Sequence, residues 1–209
     1  MSVWAVVVAA GAGTRFGAPK QYERLGDRRV LDWSLASARA TADGVVLVVP
    51  AERAAAPEAA DAVVAGAPTR AGSVRAGLAA VPGDADVIVV HDAARPLASA
   101  ALFERVVRAV RDGADGAVPG VSLPDTVKAV AGGAVAETLD RARLVAVQTP
   151  QAFRGAVLRR AHEGDPDASD DAGLVEAIGG RVVVVPGEIA NAKITTHHDL
   201  VVARALLGA

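Results

Sequence analysis

The sequence feature that most constrains the fold is a loop of small residues that follows an early hydrophobic run. The run, from Trp4 to Ala9, is apolar throughout and predicts a buried strand. The loop continues from Ala9 to Lys20 with the sequence AAGAGTRFGAPK. Glycine and alanine let backbone N–H groups come close to a ligand, and the cations Arg15 and Lys20 lie in the same stretch. This combination predicts a polyphosphate site after the first strand.

Three other interpretations of this loop are weaker. A dinucleotide-binding fingerprint needs G-x-G-x-x-G, and Phe16 stands where the third glycine belongs. A P-loop needs G-x-x-x-x-G-K-[ST], which the sequence lacks. A plain strand-to-helix turn has no use for Arg15 and Lys20 beside its glycines.

Strand and helix patterns alternate along the chain, which predicts an α/β fold with a mostly parallel sheet. Hydrophobic residues make up 52% of the chain and aromatic residues only 3%, so the core must consist of Val, Ala and Leu, as in buried parallel strands. Apolar runs predict further strands at 44–50, 61–66, 86–90, 116–121, 145–153 and 182–185. Helical patterns predict helices at 29–40, at 51–60, after the 67–74 turn as far as Ala80, after Ser99, at 155–163, after a Ser169 cap, and from Thr196.

The stretch from 125 to 141 differs from this alternation. Two alternating runs flank Gly132-Gly133, which predicts a β-hairpin. An isolated hairpin is marginally stable in water, so we expect it to project from the domain and to be covered by a second copy of the chain. The predicted dimerisation arm spans about residues 122–142.

Charge and cysteine content exclude several classes of function. The formal net charge is −2, so we expect no nucleic-acid or membrane-surface binding. Cysteine is absent, which excludes disulfides, thiol nucleophiles and zinc thiolate sites. We find no signal-peptide pattern and no apolar run near the ~20 residues that span a bilayer, and we expect a cytoplasmic location.

Two further strand ends carry polar residues. The turn from Gly66 to Ser73 includes Arg70 and could hold part of a nucleotide, although an ordinary turn between a strand and a helix is the default interpretation. Asp92 follows the strand at 86–90, at the edge where open α/β sheets bind ligands. It could bind Mg²⁺ directly, through water, or bind a ribose hydroxyl, whereas we expect His91 to be packed or hydrogen-bonded. With Mg²⁺ shared by a triphosphate, these elements suit nucleotidyl transfer.

Six motifs then carry a resemblance to a known family. They are AAGAGTRFGAPKQY, HDAARP, DTVK with LDR in the arm, QTPQAF, SDDAG and NAKIT. In this order they resemble the 2-C-methyl-D-erythritol 4-phosphate cytidylyltransferases, over nearly the whole chain. The resemblance implies a single Rossmann-like nucleotidyltransferase domain, residues 1–209, that is homodimeric through its arm. It also implies that CTP and methylerythritol 4-phosphate, with Mg²⁺, give CDP-methylerythritol and pyrophosphate in non-mevalonate isoprenoid synthesis.

The motif matches imply roles for individual residues. The implied catalytic groups are Arg15, Lys20, Arg141 and Lys193. CTP would be bound by Ala9, Ala10, Gly11, Ala12, Gly13, Gly66, Ser73, Asp92, Ala93 and Ala94. The sugar phosphate would be bound by Asp92, Arg95, Thr126, Arg141 and Lys193, and part of the Thr126–Arg141 group would come from the partner subunit. Asp92 is the candidate metal ligand, with the metal held mainly by the triphosphate.

The resemblance has departures and alternatives. The nucleotide turn has Gly66-Ala67 where the family usually has Gly-Gly, and Gly72 where an acidic residue often stands, so the resemblance supports contacts to phosphate more strongly than contacts to cytosine. A ribitol-5-phosphate cytidylyltransferase would use the same chemistry on another polyol. A non-catalytic nucleotide-binding module is a further alternative, against which Arg15, Lys20 and Lys193 argue together.

Overall fold

The computed structural model describes residues 1–208, which form twelve strands and six α-helices. The strands are β1 (Val3–Val8), β2 (Arg24–Leu25), β3 (Arg28–Arg29), β4 (Gly44–Val49), β5 (Ala62–Ala65), β6 (Val87–Asp92), β7 (Gly116–Ser122), β8 (Val127–Ala131), β9 (Ala134–Leu139), β10 (Val145–Val147), β11 (Gln151–Arg154) and β12 (Val182–Pro186). The helices are α1 (Val30–Arg39), α2 (Arg70–Ala80), α3 (Ala100–Arg111), α4 (Gly155–Ala161), α5 (Asp171–Ala177) and α6 (His197–Leu207).

Eight strands form the central sheet, in the order β10-β7-β11-β6-β1-β4-β5, with β12 pairing β7. The pairs among β6, β1, β4 and β5 are parallel, and β12 runs parallel to β7. The strand β11 runs antiparallel to its neighbours β6 and β7. The predicted mostly parallel sheet is therefore confirmed. Val8 pairs with both Val48 and Asp92, so the loop after β1 and the end of β6 meet at one edge.

Apolar residues cover both faces of the sheet, because successive side chains of each strand point to opposite helical layers. On one face, Val7 of β1 packs in a cluster with Leu31 of α1 and Phe103 of α3. On the other face, Val6 packs in a cluster with Val74 of α2. Burial on both faces leaves the carboxyl edge of the sheet as the place where polar side chains can gather.

A third apolar group, which we call the C-terminal cluster, lies beside the first loop. It consists of Phe16, Leu25, Val30, Ile194, Leu200 and Ala203. The ring of Phe16 is 4% exposed and stacks on His197 with 4.0 Å between centroids. Phe16, which takes the place of the third fingerprint glycine, thus anchors the loop to α6.

The predicted hairpin is confirmed as β8 and β9, which form a sheet of their own. Gly132 and Gly133 make the turn with φ of 56° and 81°, a conformation that glycine adopts without strain. Val130 and Val135 are each 62% exposed. The hairpin therefore presents apolar side chains to solvent.

Three local predictions are corrected. The helix predicted at 51–60 is only a single 3₁₀ turn at Ala51–Arg53, since Pro57 lacks an N–H and disfavours helix before it. The single strand predicted at 145–153 is two strands, β10 and β11, separated by a cis Thr149–Pro150 bond. Asp170, and not Ser169, caps α5 by accepting a hydrogen bond from the Gly173 N–H at 3.1 Å.

The domain organisation and the cellular location stay predictions. A single domain over residues 1–209 stays a prediction, and its last residue, Ala209, lies outside the described residues. Among residues 1–208, none of the helices has the length and hydrophobicity needed to cross a bilayer. The cytoplasmic location likewise stays a prediction.

Candidate active site

Two neighbouring cavities lie at the carboxyl edge of β1 and β6. The larger has a volume of about 430 Å³ and brings together ten of the predicted site residues: Ala9, Ala10, Gly11, Ala12, Lys20, Ser73, Asp92, Ala93, Ala94 and Lys193. The smaller has a volume of about 220 Å³ and includes Arg95. Arg70, Asp92 and Lys193 line both cavities and form the wall between them.

The first loop offers free backbone donors to the larger cavity. Gln21, 4% exposed, donates its Nε2 hydrogens to the carbonyl oxygens of Ala9 at 2.8 Å and Gly11 at 3.1 Å. Gly13 has φ of 68°, and a Cβ there would collide with the Ala18 carbonyl oxygen. Within residues 1–208, the N–H groups of Gly11, Ala12 and Gly13 make no hydrogen bond. The loop therefore has free N–H groups that could donate to an anion, and the polyphosphate site stays a prediction.

The Asp92 carboxylate is tied to two cations. Its Oδ2 accepts from Lys193 Nζ at 2.6 Å, and its Oδ1 from Arg70 Nε at 3.4 Å. Burial favours the neutral acid, but Arg70, Lys193 and Arg95 outweigh it and hold the pKa of Asp92 well below its usual range. Asp92 is therefore an anion at every working pH.

Lys20 is crowded by other positive charges. Burial lowers the pKa of Lys20, and the charges of Lys193 and Arg15 lower it further. Arg15 is exposed and lines neither cavity, yet its charge acts on Lys20. The excess of cations favours an anionic ligand at this place.

The segment that carries Lys193 is fixed to the sheet by backbone and amide contacts. The Ile194 N–H donates to the Ala94 carbonyl oxygen at 2.8 Å. Asn191, fully buried, donates its Nδ2 to the Thr149 carbonyl oxygen at 2.9 Å. Lys193 therefore reaches the wall between the cavities from a segment distant in sequence.

His91 is hydrogen-bonded inside the sheet, as predicted. It is fully buried; its Nε2 is 3.2 Å from the Arg95 carbonyl oxygen, and its Nδ1 is 3.2 Å from Thr149 Oγ1. Thr149 Oγ1 also accepts from the Asp92 N–H at 3.0 Å. Because the Arg95 carbonyl oxygen can only accept, His91 donates from Nε2, and a neutral His91 then accepts at Nδ1 from the Thr149 hydroxyl. Burial lowers the pKa of His91 to about 4.

Stability is expected to depend on pH through His91. Below pH 6.5 the unfolded chain binds a proton at this residue, whereas the folded chain does so only near pH 4. The free energy of unfolding should therefore fall by up to ~3 kcal/mol as the pH is lowered between these values. Urea unfolding at stepwise pH measures the change. The His91→Gln variant cannot titrate at this position and should show a flatter profile; an equally steep profile would contradict the assignment.

Five predicted site residues line neither cavity: Gly13, Arg15, Gly66, Thr126 and Arg141. Gly66 lies behind the loop, where a Cβ would collide with that of Ala10. Thr126 and Arg141 are exposed on the arm, and Arg141 donates to the Pro124 carbonyl oxygen. Their predicted roles stay predictions.

The structure also adds residues that the sequence analysis did not assign. Arg70 was predicted only as part of a turn that could hold part of a nucleotide, and in the structure it lies in the wall between the cavities. Gln21 carries no sequence signal, because its function depends on carbonyl groups ten and twelve residues earlier. Asp171, completely buried, is bonded to Arg70.

The fold and the site define an α/β protein with a cation-lined cleft at the carboxyl edge of a largely parallel sheet, the place where open α/β sheets bind ligands. Comparisons with known proteins narrow this class. The family model "2-C-methyl-D-erythritol 4-phosphate cytidylyltransferase" (IspD) matches residues 3–209. A curated protein of that name from Rhodococcus jostii (strain RHA1) is 46% identical over 218 residues, which cover 98% of this chain and 95% of that protein. The chain belongs to the 2-C-methyl-D-erythritol 4-phosphate cytidylyltransferase family.

Some relatives are longer than this chain. A "Bifunctional enzyme IspD/IspF" from Nitratidesulfovibrio vulgaris (strain DP4) is 44% identical over 227 residues, and the match covers 96% of this chain but 57% of that protein. The chain thus spans little more than half of these bifunctional relatives. A solved structure titled as this cytidylyltransferase from Thermus thermophilus matches with a TM-score of 0.84 and 36% identity, over 100% of both chains.

Proposed function

We propose that this chain transfers CMP from CTP to 2-C-methyl-D-erythritol 4-phosphate and releases pyrophosphate, a step of non-mevalonate isoprenoid synthesis. Membership of the family supports the proposal. The observation that carries it is the pair of cavities, because two phosphate-bearing ligands could meet across the wall of Arg70, Asp92 and Lys193.

The larger cavity is the proposed CTP site. The free N–H groups of Gly11, Ala12 and Gly13 would donate to phosphate oxygens, and Lys20 would stabilise charge on the α-phosphate and on the leaving pyrophosphate. Arg15 would add its charge from the rim of the loop. Ser73 shapes the base end of the site, since its Oγ accepts from the Ala67 N–H and donates to the Ala67 carbonyl oxygen.

The smaller cavity is the proposed site of the sugar phosphate. Arg95 donates from Nη1 to the Asn191 carbonyl oxygen at 2.9 Å, while its buried Nε has no partner among residues 1–208. Lys193 would turn its ammonium to the incoming phosphate. In the reaction, a sugar-phosphate oxygen forms a bond to the α-phosphorus, and the bond from that phosphorus to the bridging β-phosphate oxygen breaks. The attacking phosphate is already ionised, so no general base is required.

Magnesium fits this site only when it arrives with the triphosphate. Within residues 1–208, no group of three acidic or histidine side chains could hold a metal, and Asp92 is the acidic residue that lines the larger cavity. Mg²⁺ commonly binds through one or two carboxylates together with substrate phosphates. Asp92 would supply one ligand, and the ion would neutralise phosphate charge.

Pyrophosphate release tests the proposal. The assay uses each of the four nucleoside triphosphates with Mg²⁺ and either methylerythritol 4-phosphate or ribitol 5-phosphate. We expect release with CTP and methylerythritol 4-phosphate only. Faster turnover with ribitol 5-phosphate would instead identify the alternative polyol, and CTP binding without release in any mixture would indicate a non-catalytic module.

We also infer that the chain is a homodimer through its arm. The exposed Val130 and Val135 form an apolar surface on a hairpin that is marginal alone. Thr126 and Arg141 line neither cavity of their own chain. A second copy would cover these valines and would bring arm residues to the partner's sugar-phosphate site, as the resemblance implies.

Replacing both Val130 and Val135 with aspartate should convert the dimer to a monomer, because two buried charges would oppose the contact. Sedimentation velocity measures the change. The control is Val201→Asp on α6, where the valine is 60% exposed, and this variant should stay dimeric. A monomeric unsubstituted chain at micromolar concentration would contradict the inference.

A further inference from the structure

A pair of buried, hydrogen-bonded side chains lies behind the wall between the two cavities, and the proposed mechanism does not use it. Asp171 and His162, which we call the Arg70 clamp, are bonded to each other, and Asp171 is also bonded to Arg70. Asp171 is 0% exposed and His162 is 5% exposed. Neither residue lines either cavity.

Arg70 is hydrogen-bonded more closely to Asp171 of the clamp than to Asp92 of the wall. Its Nη1 donates to Asp171 Oδ2 at 2.8 Å, whereas its Nε lies 3.4 Å from Asp92 Oδ1. Burial opposes the charge on Arg70, but Asp171 and Asp92 outweigh it and raise the pKa of Arg70. The position of the guanidinium is therefore set mainly from behind, and it would persist if a ligand drew Asp92 away.

His162 fixes the other oxygen of the clamp carboxylate. Its Nε2 donates to Asp171 Oδ1 at 3.0 Å, so each Asp171 oxygen has one donor. A fully buried carboxylate is unfavourable unless it is paired and hydrogen-bonded. The hydrogen bond between Asp171 and Arg70 orients the Arg70 guanidinium at the wall between the cavities.

Arg70 retains a donor for a ligand. Its side chain is 23% exposed, and its Nη2 has no hydrogen-bond partner among residues 1–208. A planar guanidinium fixed on one edge presents its remaining N–H groups in a fixed direction. At this wall the matching ligand group is a phosphate oxygen.

We propose that Asp171 and His162 are positioning residues that hold Arg70 so that its Nη2 donates to a phosphate oxygen between the two substrates. The inference rests on the proposed function. It assigns Arg70 to ligand binding and the clamp to its orientation. It predicts that Asp171 acts on turnover only through Arg70.

A double-mutant cycle tests this dependence. The variants are Arg70→Ala, Asp171→Asn and their combination, each assayed for kcat, for KM of both substrates and for CTP affinity by calorimetry with Mg²⁺. Asp171→Asn should lower kcat by about tenfold or more through misplacement of the guanidinium. The combined variant should be no slower than Arg70→Ala alone, because the clamp then has nothing to orient. Losses that multiply would mean a general structural role and would overturn the proposal.

The control variant disrupts a similar ion pair outside the cavities. Arg75, also on α2, contacts Asp165 at 3.0 Å, and the Asp165 side chain is 86% exposed. Asp165→Asn should leave kcat unchanged, whereas a loss equal to that of Asp171→Asn would count against the clamp.

His162 provides a second test if Asp171→Asn does not fold. Glutamine can place an amide N–H where His162 Nε2 lies, whereas leucine cannot. His162→Gln should keep kcat within about threefold of the unsubstituted chain, and His162→Leu should lower it about tenfold. Equal kcat in the two variants would overturn the proposal. Absence of pyrophosphate release from the unsubstituted chain would instead reject the proposed function, and the cycle in CTP affinity would then decide the role of the clamp.

Discussion

Alanine in place of Lys20 is expected to lower kcat by about 10²- to 10³-fold, the scale of losing one donor to a charged transition state. Lys20 lines the proposed CTP site at the end of the small-residue loop. Its pKa is lowered by burial and by the charges of Lys193 and Arg15. Removing it therefore relieves repulsion, and we expect no loss of folding stability.

Steady-state pyrophosphate release and thermal unfolding measure the two effects separately. The matched control is Lys128→Ala, since Lys128 is an exposed lysine that donates to Thr138 Oγ1 on the arm. We expect near-normal kcat in the control. A Lys20→Ala variant that turns over at close to the normal rate would reject the assigned role.

Alanine in place of Lys193 is expected to lower kcat/KM for the sugar phosphate by about 10²-fold or more. Two causes act together. The variant lacks the ammonium proposed to receive the incoming phosphate, and it leaves the Asp92 carboxylate with Arg70 as its remaining close cation. The uncompensated anion would then repel the second substrate.

The two causes can be separated by a second substitution. Asp92→Asn, added to Lys193→Ala, removes the repelling charge and should lower KM for the sugar phosphate again, while kcat should stay low because the proposed metal ligand is lost. Initial rates at varied concentrations of each substrate measure the effect. An equal change in KM for CTP and for the sugar phosphate would contradict the placement of Lys193 on the sugar-phosphate side.

The main sheet and its loop could be predicted because the signals are local. The apolar run before Gly11 predicts β1, and parallel pairing then brings Asp92 to the same edge. The antiparallel strand β11 could not be predicted in this way, because its place between β6 and β7 depends on pairing over long sequence separations. A continuous apolar run does not determine which other strands the segment will pair with.

The candidate site was predictable where a residue lies on the first loop or at the end of β6. Lys193 was predicted by resemblance, because its place at the wall depends on the docking of Ile194 against Ala94. The contacts of Gln21 and the Arg70 clamp were missed. Buried amides and carboxylates acquire their roles from partners that only the folded chain brings near, so no local spacing indicates them.

The C-terminal cluster has a consequence for how the proposed activity could be adjusted. Phe16 follows Arg15 in the chain and Ile194 follows Lys193, and both apolar side chains share the one cluster. Arg15 and Lys193, two proposed catalytic cations from opposite ends of the chain, are thus each next to a residue of this cluster, and the cluster lines neither cavity. Substitutions that repack this cluster would move Arg15 and Lys193 together. Substitutions in α6 could therefore change turnover while every side chain that lines a cavity stays the same.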